Sequence, residues 1–206
     1  EQIYNWTYID EQKAKQNWDG INNPYISMPK MIMMTYDMPE CLNLSREDYG
    51  FNLNEFFKAS GEDNNAKFKY EDSVQKWLDL IRGVNCRDLY ADLSSNKSLP
   101  VLPFSDTRLV NVLNHTFWFL PSISSCNAMK NLLMKRANYF YHDYEIIVCA
   151  GNAVGTGIDA IKPVRIKMSN PLSSKTITLS CGKLNTGVTV KPWTGVFFLR
   201  DTESPE

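Results

Sequence analysis

A chain of 206 residues, 43% hydrophobic and 22% charged, is long enough to bury a real core in one large domain or two small ones. Its formal net charge of -1 excludes a strongly basic nucleic-acid binder, so any contact with DNA or RNA must come from a local patch or a partner domain. Five widely spaced cysteines (Cys41, Cys86, Cys126, Cys149 and Cys181) form no CxxC pair, which argues against a disulfide framework or a zinc site and fits a reducing cytoplasm.

The chain divides near residue 105. The first half is irregular, with Pro24, Pro29, Pro39, Pro100 and Pro103 and the polar stretch Ser60–Asn65. Within it, Lys30–Tyr36 reads as a buried strand ended by Pro39. Asn54–Ala59 reads as a short helix ended by Gly61. Tyr70–Arg82 reads as a longer helix: Asp72 or Ser73 can cap it, Val74, Trp77, Leu78 and Ile81 recur at helical spacing, and Gly83 can end it.

The second half alternates strand and helix. Thr116–Leu120 is an apolar strand halted by Pro121. Ser122 or Ser124/Ser125 then starts a helix, Asn127 to about Asn138, with Met129, Leu132, Leu133 and Arg136 spaced for one buried face. Tyr144–Ala150 is a second continuous apolar strand, and the glycine-rich turn Gly151–Gly157 closes it. Ile158–Met168 is a helical segment interrupted by Pro163, Thr176–Leu179 a third strand, and Gly195–Leu199 a fourth. Continuous apolar strands linked by helices predict an α/β fold built on a mostly parallel sheet. No apolar run approaches the roughly 20 residues of a membrane-spanning helix. The N-terminus lacks an initiator Met and the features of a signal peptide, and both ends read as boundaries within a longer chain.

Several motifs fail on spacing. The glycines of Gly151–Gly157 fall as G-x-x-x-G-x-G and not as the dinucleotide fingerprint G-x-G-x-x-G. Cys181-Gly182-Lys183-Leu184 is not a phosphate-binding P-loop, because Leu184 follows the lysine and Ile177 stands where the first glycine belongs. His115 borders a strand near Trp118 and reads as structural; it and His142 are too far apart to be a local pair. The segment from Ser180 to Pro192 is the most informative. It joins two apolar strands through Gly, Thr, Ser and Lys, residues that suit a phosphate-rich partner at the end of a parallel strand. An ordinary connecting loop would share that composition.

Read as S-C-G-K-L-N-T-G-V-T-V-K-P, Ser180–Pro192 resembles motif V of superfamily 2 helicases, in the form found in helicase subunits of restriction endonucleases. Thr116–Pro121 and the helix after it resemble the motif IV strand and helix, and the likeness covers about residues 108 to 206. It implies a second RecA-like lobe that stops before motif VI, with residues 1–107 lying between the lobes: Lys30–Thr35 a connecting strand and Tyr70–Arg82 an inserted helix. It further implies that Lys183 and Thr186 contact phosphate, that Gly187 allows close backbone approach, and that Ser122 offers a further phosphate contact. Thr189 stands where many of these helicases carry an acidic residue on the ribose or base side. The resemblance implies ATP and Mg held mainly by a first lobe outside this chain, with no catalytic residue here and no activity from this part alone. Its implied partners are DNA, that first lobe, and a nuclease or methylase domain or subunit, in the cytoplasm and without a membrane. Two other readings fit the residues: a stand-alone nucleotide-binding α/β domain using the Gly151–Gly157 turn, and a non-catalytic interaction module.

Overall fold

Apolar strands of this kind need cover on both faces, and residues 38–206 provide it. The computed structural model describes residues 6–26, 28, 31–35, 52–84, 102–109, 111–151, 158–184 and 188–202. They belong to two units, residues 1–37 and residues 38–206.

In the first unit, helix α1 (Tyr8–Gln16) starts at a capping box: the Thr7 side chain accepts from the Asp10 N–H, and the Asp10 carboxylate accepts from the Thr7 N–H at 2.9 Å. Tyr25 stacks on Trp6 with centroids 5.4 Å apart and meets Trp18 edge-on at 5.7 Å. Met31–Thr35 is exposed, has no regular secondary structure and pairs with no strand among the described residues. The expected buried strand is therefore corrected: hydrophobicity alone does not make a strand when no neighbour supplies the ladder.

In the second unit, α2 (Leu53–Phe56) leads into the antiparallel pair β1 (Ala59–Ser60) and β2 (Lys67–Phe68). Gly61 makes that turn possible, since its φ is +87° and a Cβ there would sit 2.6 Å from the Asn65 carbonyl oxygen. Helix α3 (Glu71–Ile81) buries Val74, Trp77, Leu78, Leu80 and Ile81. Its N-cap is Tyr70, without a side-chain bond, so Asp72 and Ser73 lie inside the first turn and do not cap it.

Four strands follow: β3 (His115–Phe119), β4 (Glu145–Val148), β5 (Thr176–Ser180) and β6 (Gly195–Phe198). They pair in the order β4-β5-β3-β6 and every pairing is parallel, as the continuous apolar runs predict. Helix α4 (Ile123–Leu133) and the 3-10 segment Arg136–Asp143 connect β3 to β4; helix α5 (Ile158–Met168) connects β4 to β5. Of the serines that could start α4, Ser122 is the cap, just after Pro121, so the helix opens before Asn127; it ends earlier than the apolar spacing predicts because a 3-10 segment follows from Arg136. Pro163 sits within α5, where it withholds one N–H without ending the helix.

Alternation along the strands separates two cores. Trp118, Leu120, Ile146, Ile177 and Leu179 face α3, α4 and Phe104, whereas Phe117, Phe119, Ile147 and Cys149 face α5 and Trp193. Residues 52–84 share the first core with the sheet and are tied to it by polar bonds. Ser125 Oγ donates to the Phe57 carbonyl at 2.6 Å, and Tyr141 Oη donates to the Leu78 carbonyl at 3.0 Å. Gln75 and Asn138 exchange amide bonds at 2.7 and 2.8 Å. His115 is buried at the start of β3, with Nδ1 2.9 Å from Thr176 Oγ1 and Nε2 2.9 Å from the Pro171 carbonyl. That carbonyl can only accept, so Nε2 carries a proton, and the residue is structural.

Candidate nucleic-acid interface

A parallel sheet sends every strand's C-terminal end to one edge, and ligand-binding loops of α/β proteins gather there. Here that edge carries Leu120–Ser122 after β3, Cys149–Gly151 after β4, Cys181–Leu184 after β5 and Leu199–Arg200 after β6. The strand ladder continues one residue into three of these four loops: Leu120 N–H donates to the Ser180 carbonyl at 2.8 Å, Cys149 N–H to the Leu179 carbonyl at 2.8 Å, and Leu199 N–H to the Phe119 carbonyl at 2.9 Å. The loops thus start from a rigid platform.

The turn after β5 is tight. Ser180 Oγ donates to the Lys183 carbonyl at 2.5 Å, and Leu184 adopts a φ of +66°, which non-glycine residues rarely take. Burial of the Leu184 side chain in the second core holds it in that conformation. Lys183 is half-buried between these two anchors. Thr186 and Gly187 lie outside the described residues. Thr189 is exposed on the return segment 188–192 and borders a cavity beside α5, away from the Lys183 turn. The Ser122 hydroxyl caps its own helix, accepting from the Ser125 N–H at 3.0 Å.

Two groups at this edge escaped the reading of the sequence. Arg200 follows β6; its guanidinium lies 4.8 Å from the Phe119 ring centroid, and Nη1 donates to the Cys181 carbonyl at 3.4 Å. Its Nε is buried without a hydrogen-bond partner. The other is Cys181. The Cys126 thiol donates to its sulfur, and with the Arg200 and Lys183 cations nearby this holds the Cys181 thiol down to about 7, against the cost of burial. Cys126 itself is pushed far up, by that same bond first and by burial second. Both residues fall within the stretch that resembles the helicase motifs, but the resemblance gave neither a role at the site. Among the described residues, no group of three or more His, Cys, Asp or Glu could hold a metal ion, and no helix is long and apolar enough to cross a membrane.

No protein-family profile matches the chain, and no solved structure gives a significant match. A curated protein of Mycoplasma pneumoniae, named as the C-terminus of a type II restriction enzyme and methyltransferase, is 25% identical over 230 aligned positions. The match takes in 100% of this chain but 30% of the relative, so the chain spans less than a third of that protein's length.

Proposed function

We propose that this chain serves DNA processing in a restriction-modification system, and that residues 108–206 act there as the second RecA-like lobe of a superfamily 2 helicase or translocase. The likeness to the Mycoplasma pneumoniae protein supports the restriction-modification role. One observation carries the helicase reading: the motif V-like segment Ser180–Pro192 leaves the C-terminal end of a strand in a parallel sheet covered on both faces. In this reading, residues 1–107 lie between the lobes, and a first lobe outside this chain holds most of the ATP and its Mg ion. ATP supplies the free energy of phosphoryl transfer. This chain contributes positive charge at its loop edge through Lys183 and through Arg200, whose buried Nε lacks an acceptor. Lys183 and Thr186 hold phosphate without reading sequence, Gly187 lets the backbone approach closely, and the Ser122 backbone and Thr189 add contacts.

The test is ATP hydrolysis by the full-length protein with and without duplex DNA, repeated for Gly187→Ala. The expected result is DNA-stimulated hydrolysis that falls about ten- to a hundredfold in the variant, the cost of a small misplacement at a reacting site, with thermal melting unchanged. Hydrolysis indifferent to DNA, or undiminished turnover in Gly187→Ala, would sink the helicase reading.

A further inference from the structure

The segment after the β5 turn does more than connect two strands. Residues 188–192 run beside α5 and enclose with it a cavity of about 380 Å³. Its apolar lining includes Met168 of α5 and Val190 and Pro192 of the return segment. Its polar lining includes Thr189 and two cations, Arg165 and Lys191, and no carboxylate lines it. Both cations are exposed, and neither forms an ion pair among the described residues. Their neighbours along α5 behave differently: Lys162 pairs with Asp159 at 2.7 Å, and Lys167 pairs with Glu145. In a chain of net charge -1, two cations at one apolar hollow with no ion pair among the described residues are a local excess of positive charge. The rim is also held in place. Ser169 takes a φ of +46° at the end of α5, and its N–H reaches the Arg165 and Ile166 carbonyls, both at 3.2 Å.

We infer that this cavity is a second contact point for a single nucleic-acid strand, with Arg165 and Lys191 holding a backbone phosphate and Met168, Val190 and Pro192 receiving a base. The inference rests on the nucleic-acid reading of Ser180–Pro192 and extends it, because Thr189 belongs to that segment and also lines the cavity. A phosphate takes the charge that no carboxylate neutralises, and a base edge or methyl group takes the apolar floor. Arg165 supplies the planar fork that grips two phosphate oxygens at once, and Lys191 adds a point charge.

The experiment is fluorescence anisotropy of a labelled oligothymidylate with the full-length protein at several salt concentrations. It compares the wild type, the double variant Arg165→Gln/Lys191→Gln, and Thr186→Ala as a probe of the loop. Both replaced cations are exposed, so the double variant should melt as the wild type does. Loss of the two cations that hold this phosphate should weaken binding about tenfold at low salt and flatten the salt slope by about 0.7. Unchanged affinity and slope in the double variant, with binding weakened by Thr186→Ala, overturns the cavity while the loop reading stands. No binding by the wild type overturns both. In parallel, titration with free ATP separates a strand from a mononucleotide: a double variant that loses ATP affinity but keeps oligonucleotide affinity overturns the assignment to a strand.

Discussion

The two faces of the sheet are built differently. On the first, Trp118 lies among Trp77, Phe104, Tyr141 and Phe197, with ring centroids 5.3 to 6.4 Å away. Its indole N–H is satisfied by Thr116 Oγ1 at 3.0 Å. On the second, the central strand β5 presents hydroxyls in place of apolar side chains: Thr176, Thr178 and Ser180 are all fully buried. Thr176 meets His115, Ser180 bonds the Lys183 carbonyl, and Thr178 Oγ1 has no hydrogen-bond partner among the described residues. The first face therefore carries stability, through large rings that exclude water and interlock edge to face. The second face has a smaller apolar cluster around Phe117, Phe119 and α5, and it is the one that supports the β5 turn, the return segment and the cavity.

Truncating the first face should have the largest effect. Trp118→Ala removes the ring on which five aromatic or strand contacts converge and should cost about 3–5 kcal/mol in chemical denaturation, as large core aromatics do. A loss below 1 kcal/mol would mean that the two faces share the load and the contrast between them is wrong. The second face predicts the opposite sign. Thr178→Val replaces a buried hydroxyl that lacks a partner with a methyl group of the same shape, so stability should stay level or rise by about 1 kcal/mol. A clear destabilisation in the same denaturation assay would show that Thr178 has a polar partner after all.

The smallest effect concerns Cys181, where the edge meets the first core. Its thiol is depressed in the folded protein, so the linked stabilisation is absent below about pH 7. It grows as pH rises towards the ordinary thiol value of 9.0 and is complete above it. Alkylation of Cys181 by iodoacetamide should accelerate with a midpoint near pH 7, and Cys126→Ala, which removes the donated thiol hydrogen bond, should move that midpoint up. An unshifted midpoint in Cys126→Ala would assign the depression to Arg200 and Lys183.

Several strands were legible because their signal is local. Thr116–Leu120, the heart of Tyr144–Ala150, Thr176–Leu179 and Gly195–Leu199 are short apolar runs bounded by Pro or Gly, and runs buried on both faces have little choice but a parallel sheet. The same logic misled at Lys30–Tyr36, where Met31–Thr35 has the composition of a buried strand but no ladder partner among the described residues. Helix ends were less legible. The spacing of Met129, Leu132 and Leu133 located α4, but the choice of Ser122 as cap and the change to 3-10 geometry at Arg136 depend on contacts with Phe57, Gln75 and Leu78, residues about 60 positions or more away.

The sequence by itself determined the α/β class, which follows from residue types at short range, and marked Ser180–Pro192 as its candidate segment for a phosphate-bearing partner. Tertiary structure alone decided the order β4-β5-β3-β6, which brings Arg200 after β6 to within reach of Phe119 and Cys181. It alone also set Arg165 of α5 and Lys191 at one cavity, 26 residues apart in the chain. Charge that sequence spreads across separate elements becomes a patch only when packing closes the distance, and Coulomb attraction acts over that distance and not along the chain.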